Sequence, residues 1–65
     1  MIFLAIDDYT KRSQDGRYVI RTIYGYPHTR RQAGPWHYID FEGRRIGECA
    51  SMQRAEQMCR EHSAK

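Results

Sequence analysis

Apolar and polar residues alternate along much of the chain, and each alternating run ends at a turn signal. Residues 2–6 form a short apolar run of strand length, and residues 17–26 alternate over a longer stretch. An Asp-Gly pair lies between these two runs, and a Glu-Gly pair separates two further runs at residues 36–41 and 44–48. The pattern therefore predicts a small antiparallel sheet of three to four strands.

The C-terminal part of the chain changes to helical spacing. Ser51 has the side chain of a helix N-cap. The residues that then recur at one helical face are Met52, Ala55, Met58, Cys59 and His62. Glu56 with Arg60 and Glu61 with Lys65 are favourable i,i+4 pairs for the solvent side. We therefore expect one C-terminal helix packed on one face of the sheet.

The whole chain is predicted to be an α+β fold and a single domain over residues 1–65, because a chain of this length builds one core. Its longest predicted strand has two different faces. The first carries Tyr18, Ile20, Thr22, Tyr24 and Tyr26. The second carries Arg17, Val19, Arg21, Ile23 and Gly25. Because two arginines alternate with apolar residues there, the second face is expected to be partly wet.

The charge of the chain is positive and unevenly distributed. Eleven Lys+Arg against eight Asp+Glu give a net charge of +3, and nine of the eleven are arginine. Residues 17–31 contain four arginines and no acidic residue. Arginine suits planar contact with phosphate or carboxylate groups, so the middle of the chain is a candidate interface. A charge of +3 is also ordinary for a soluble small domain, which is the competing interpretation.

Catalysis is not expected, since a chain of 65 residues has little room for an enclosed, preorganised pocket. The glycines do not have the spacing of a phosphate-binding loop. A Cys/His nucleophilic pair would need an orienting group and an oxyanion donor, and the spacing supplies neither. We therefore predict a protein that is not an enzyme and that uses no cofactor.

Cys49 and Cys59 allow three interpretations. With His62, and with His28 or His37, they could ligate zinc, but only one close ligand pair is present. A disulfide between them is the second interpretation. Buried free thiols on the helix face are the favoured one, because free cysteine behaves as a small apolar residue. No metal site is therefore predicted.

The start of the chain indicates the compartment. The first six residues have no basic segment, and two aspartates end the apolar run well short of a signal peptide. No stretch is long and apolar enough to span a bilayer, so no membrane partner is predicted. We expect a cytoplasmic protein with reduced thiols, which would be the host cytoplasm for a phage-encoded chain.

Aromatic and basic residues gather around a predicted loop that runs from Pro27 to Pro35. Tyrosine, tryptophan and arginine carry much of the binding energy at interfaces, and long loops are often functional. The predicted partner-binding residues are Arg30, Arg31, His28, Tyr26, Arg21 and Arg17, with Arg44 and Arg45 as secondary candidates.

The last 30 residues contain the pattern Trp36-x6-Gly43-x2-Ile46-Gly47-x3-Ser51-x3-Ala55-x3-Cys59. This strand–turn–strand–helix ending resembles that of small phage and prophage accessory proteins of the anti-defence, anti-CRISPR-like type. The resemblance implies a protein that docks on a host machine and blocks it, and it assigns no site residues. The positive charge departs from the acidic, DNA-mimicking members of that class.

Two functions follow as hypotheses. The first is an inhibitor that docks on a host protein, nucleoprotein or nuclease (CRISPR-like) complex through the arginine-bearing loop. The second is a small DNA-binding module that uses its basic sheet face, with Arg17, Arg21, Arg44 and Arg45 on phosphates or base edges. A metal-stabilised or catalytic domain is a minor third hypothesis. The sequence leaves the oligomeric state open.

Overall fold

The computed structural model describes residues 1–24 and 35–64. In these ranges five strands precede one helix: β1 (Phe3–Asp7), β2 (Thr10–Ser13), β3 (Tyr18–Ile23), β4 (Trp36–Phe41), β5 (Arg44–Cys49) and α1 (Met52–Ser63). The strands are antiparallel and lie side by side in chain order, which makes β1 and β5 the edges. The predicted α+β arrangement with one C-terminal helix is confirmed, but the prediction of three to four strands was wrong by at least one strand.

The strand that the sequence did not predict is β2. It consists of Thr-Lys-Arg-Ser, has no apolar side chain, and therefore lacks the alternation that identified the others. Its backbone pairs with β1 on one side and β3 on the other, so two neighbours supply the hydrogen bonds that hold it extended. The strand predicted over residues 17–26 is observed from Tyr18 to Ile23 and ends before Tyr24.

The two turns predicted from Asp-Gly and Glu-Gly pairs are present in the structure. At the β2–β3 turn, Gly16 has φ of 80°, and the Ser13 hydroxyl donates to Asp15 Oδ1 at 2.6 Å. The same hydroxyl accepts from the Tyr18 amide at 3.0 Å. The bond from Ser13 is the main reason that the pKa of the Asp15 carboxyl is lowered. At the β4–β5 turn Glu42 and Gly43 both have positive φ, as tight hairpins require.

The core lies between α1 and the three strands β3, β4 and β5. Ile20, Ile39 and Cys59 have no exposed surface, and Ala55 is equally buried. The Met58 side chain packs directly over Gly47, where a larger residue on β5 would displace it. Of the predicted buried helix face, Ala55 and Cys59 are buried and the other members are half-buried, so the helical phase is confirmed.

The ends of α1 are held by specific contacts. The amide of Arg54 donates to the Ser51 hydroxyl at 3.4 Å, which confirms Ser51 as the N-cap. Near the other end, the Tyr18 hydroxyl and His62 Nδ1 share a hydrogen bond of 2.7 Å. The Phe41 ring lies 4.8 Å from both the Tyr18 and His62 rings, centroid to centroid. The helix is therefore fixed to the sheet by an aromatic cluster as well as by apolar packing.

The two predicted helical ion pairs have different outcomes. Glu56 and Arg60 form theirs at 3.5 Å. Glu61 contacts Arg54 at 3.8 Å, while Lys65 lies outside the described residues.

Among the described residues, no helix is long and apolar enough to cross a membrane.

Candidate functional site

The two faces of the sheet have different surroundings. The helix covers one face, here called the covered face. The opposite side is here called the open face. By the strand register it carries the side chains of Leu4, Thr10, Arg12, Val19, Arg21, Ile23, Trp36, Tyr38, Asp40, Arg45 and Glu48. No described helix or strand packs on this face. In the described part of the chain, the open face is therefore a regular surface on which a partner could lie.

One part of the open face is held rigidly by Arg45. Its guanidinium lies 4.2 Å from the centre of the Tyr38 ring, and its Nε donates to Asp40 Oδ1 at 2.7 Å. Tyr38 is only 8% exposed although it faces away from the helix. Next to this stack, the Trp36 indole N–H donates to Glu48 Oε1 at 3.3 Å. These contacts hold the side chains of Arg45, Tyr38 and Trp36 in place in the unbound protein.

Arg12 and Arg21 occupy the neighbouring strands of the open face. Arg12 lies opposite Val19 and Arg21 lies opposite Thr10, so the two arginines are diagonal neighbours on β2 and β3. Both are exposed, and within residues 1–24 and 35–64 neither forms an ion pair. Two uncompensated guanidinium groups side by side form a surface that suits phosphate or carboxylate groups.

The structure separates the predicted site residues. Arg21 and Arg45 lie on the open face, whereas Arg44 pairs with Phe41 and therefore lies on the covered face at the end of the hairpin. Arg17 is exposed at one end of the sheet, where its carbonyl accepts from the Glu42 amide at 2.8 Å. The remaining predicted residues, Tyr26, His28, Arg30 and Arg31, lie outside the described residues.

Arg12 was missed because no strand was predicted around it. Its alternation with Lys11 was the available signal, since neighbouring residues of a strand point to opposite faces. Lys11 indeed lies on the covered face, where its Nζ is 4.0 Å from Glu56 Oε2 on the helix. The two adjacent basic residues thus have different roles.

The two cysteines and the buried His37 do not form a reactive or metal-binding group within the described residues. Cys49 and Cys59 are both free. Burial, and then the nearby Glu56 carboxylate, raises the pKa of the Cys59 thiol to about 11, so the thiol is protonated and unreactive at neutral pH. His37 Nδ1 shares a bond of 2.8 Å with the Thr22 hydroxyl, and burial lowers the pKa of its imidazole. Within the described ranges no three metal-ligating side chains form a cluster.

A groove of about 590 Å³ lies on the covered face beyond the start of the helix. Tyr9 and Tyr24 form one wall, with ring centres 5.9 Å apart and more than half of each residue exposed. Asp7, Asp8 and Lys11 bring charges of both signs to the same groove. This mixed lining does not select one kind of ligand, whereas the arginines of the open face favour anionic groups.

Comparison of the chain with protein-family models, with curated proteins and with solved structures gives no match. The fold and the surface by themselves define its class. It is a small α+β protein whose five-stranded antiparallel sheet is covered by one helix on one face. The other face presents arginine and aromatic side chains, and this face is the candidate functional site.

Proposed function

We propose that this chain is a non-enzymatic binding protein that docks through its open face on a host nucleoprotein or nuclease complex and blocks it. The observation that supports the proposal best is the pair Arg12 and Arg21, which are exposed, adjacent and without an ion pair in the described part of the chain. Such a pair can meet an acidic or phosphate-bearing surface with directed hydrogen bonds.

The arrangement next to this pair suits an interface. Because Arg45 is already ordered by Tyr38 and Asp40, little side-chain entropy is lost there on binding. Trp36 adds a half-buried indole ring at the edge of the same surface. An inhibitor that occludes a site needs only to bind there and to exclude other molecules. A small folded sheet with a binding surface can do both.

Two features of the sequence also support the proposal. The predicted contact also includes Arg30 and Arg31, which follow β3 in the chain, and that part of the proposal stays a prediction. The resemblance of the C-terminal strand–turn–strand–helix pattern to small phage anti-defence proteins supports the same kind of activity, with the host cytoplasm as its location.

DNA binding is the second candidate function, favoured by the same arginines of adjacent strands. Sheets can enter a groove of the double helix and place side chains on phosphates and base edges. In that case Arg12 and Arg21 would contact the nucleic acid directly. The two candidates differ in whether a protein partner is needed at all.

Capture from a nuclease-treated bacterial lysate, with the retained proteins identified by mass spectrometry, tests the first candidate. We expect one protein or nucleoprotein complex to be retained by the parent chain after nucleic acid has been digested, and to be lost with Arg12→Ala, Arg21→Ala. Retention that disappears on nuclease treatment for the parent chain would contradict protein-directed docking.

A salt titration with random-sequence duplex DNA tests the second candidate. A protein that neutralises two or three phosphates loses affinity by roughly 10- to 50-fold between ~50 and ~200 mM salt, because log K falls with log salt by about 0.9 per phosphate. The inhibitor hypothesis predicts weak duplex binding throughout this range. Tight binding at low salt with a steep decline would favour the DNA-binding module.

A further inference from the structure

The edge strand β1 is unusually apolar for a strand with a free side. Residues 1–6 contain no charged residue and no proline. Ile2, Leu4 and Ile6 are 59%, 54% and 53% exposed. Proteins normally protect sheet edges with lysine, proline, a bulge or a covering segment. β1 has a bulge between Ala5 and Asp7, but residues 1–5 before it carry none of these devices, and no described strand pairs with their outer side.

The hydrogen bonds of β1 show which backbone groups face outward. The Gln14 amide donates to the Ile2 carbonyl at 2.9 Å, so Ile2 and Leu4 direct their backbone groups toward β2. Phe3 and Ala5 alternate with them and direct their N–H and C=O groups away from the sheet. The outer edge therefore has two residues, Phe3 and Ala5, whose free N–H and C=O groups have the spacing that an antiparallel partner strand requires.

This edge is complementary to itself. When a second copy of β1 runs antiparallel with Leu4 opposite Leu4, Phe3 of each copy lies opposite Ala5 of the other. Those are the residues whose backbone groups are free, so both outward pairs can exchange hydrogen bonds. In the same register Ile2 lies beside Ile6 of the other copy, where each β1 has its bulge between Ala5 and Asp7. Every cross-strand pair over residues 2–6 is therefore apolar, and Met1 lies opposite Asp7 outside that stretch.

We propose that two copies of this chain pair through β1 to form a continuous antiparallel sheet with its two-fold axis at Leu4. The axis is perpendicular to the sheet, so both helices lie on one side and both open faces on the other. Arg12 and Arg21 of each copy then flank a central apolar stripe formed by Ile2, Leu4 and Ile6 of both copies. The dimer presents the open face twice to one partner, which raises its avidity.

Amide hydrogen exchange, followed residue by residue at rising protein concentration, tests this pairing. We expect protection of the Phe3 and Ala5 amides to rise at least about tenfold from micromolar to millimolar protein. The Leu4 amide bonds to β2 and should not change. Sedimentation should show the mass rising from 7.8 kDa toward twice that value. A monomer at all concentrations, with fast exchange at Phe3 and Ala5, would overturn the proposal.

Two substitutions test the register. Leu4→Lys places like charges opposite each other at the axis and should abolish the dimer, while Ile23→Lys, at an exposed position on β3, should leave it intact. In a Cys49→Ala background, Leu4→Cys should form a linked dimer at least about tenfold faster than Ile23→Cys, because facing residues at such a pair lie within disulfide range. Equal rates, or a dimer that survives Leu4→Lys, would contradict pairing at Leu4.

Discussion

The covered and open faces of the same sheet differ in what their side chains contact. On the covered face Ile20 and Ile39 are fully buried against the helix. The polar His37 is also buried there, and it is hydrogen-bonded to the Thr22 hydroxyl. On the open face Arg12 and Arg21 are exposed, and their charges are not compensated within the described residues. The alternation of a strand therefore places core residues and candidate contact residues one position apart.

Truncating one isoleucine on each face gives the largest expected difference. Ile39→Ala should lower the free energy of unfolding by about 2–5 kcal/mol, because Ile39 is fully buried and its loss leaves a cavity. Ile23→Ala, at a residue that is 37% exposed on the open face, should cost about 1 kcal/mol or less. Urea denaturation measures both, and equal losses would show that the open face is also packed.

The aromatic cluster gives a smaller contrast. Tyr18→Phe removes the hydroxyl that bonds His62 and leaves the ring in place, so it should cost about 0.5–1.5 kcal/mol. Tyr24→Phe removes the hydroxyl of an exposed ring and should change stability by a few tenths of a kcal/mol at most. If thermal unfolding gives the same result for both, the Tyr18–His62 bond does not hold the helix end.

How far these features follow from the sequence differs between the faces. The helix and its N-cap were predicted because the spacing of Ala55 and Cys59 and the capping side chain at Ser51 are local signals. Strand β2 was not predicted, since its four polar residues are extended only because strands on both sides bond to them. Arg12 was missed with it, although it lies beside Arg21 in the fold.

The open face also contains a buried residue that alternation alone assigns to solvent. Tyr38 lies away from the helix, yet it is only 8% exposed, and Arg45 lies over its ring. That cover depends on the pairing of Asp40 with Arg45 across the β4–β5 hairpin. Cross-strand partners are set by the register of the whole sheet, so the sequence of one strand does not predict them.

A pH titration tests the burial of His37 on the covered face. Burial, and then the charge of Lys11, lowers the pKa of His37 below its ordinary value of 6.5, so the unfolded chain binds this proton more readily. His37 therefore stabilises the fold fully above pH 6.5, and that contribution declines as the pH falls toward the folded pKa. His37→Asn should reduce this slope in unfolding measurements between those limits. An imidazole that titrates at or above 6.5 by NMR would contradict the burial.

The smallest expected effect on stability accompanies the largest expected effect on binding. Arg12→Ala, Arg21→Ala should change the free energy of unfolding by about 0.5 kcal/mol or less, because exposed side chains without ion pairs contribute little to folding. The matched control is Arg54→Ala, Arg60→Ala, which removes the same formal charge from the helix, where both arginines are exposed.

Calorimetric titration of these two double variants against the captured partner tests the open face most directly. The open-face variant should bind at least about tenfold more weakly than the parent chain, while the helix variant should bind as the parent does. Equal losses would mean that only net charge matters. Normal binding by the open-face variant would place the contact elsewhere and contradict the account.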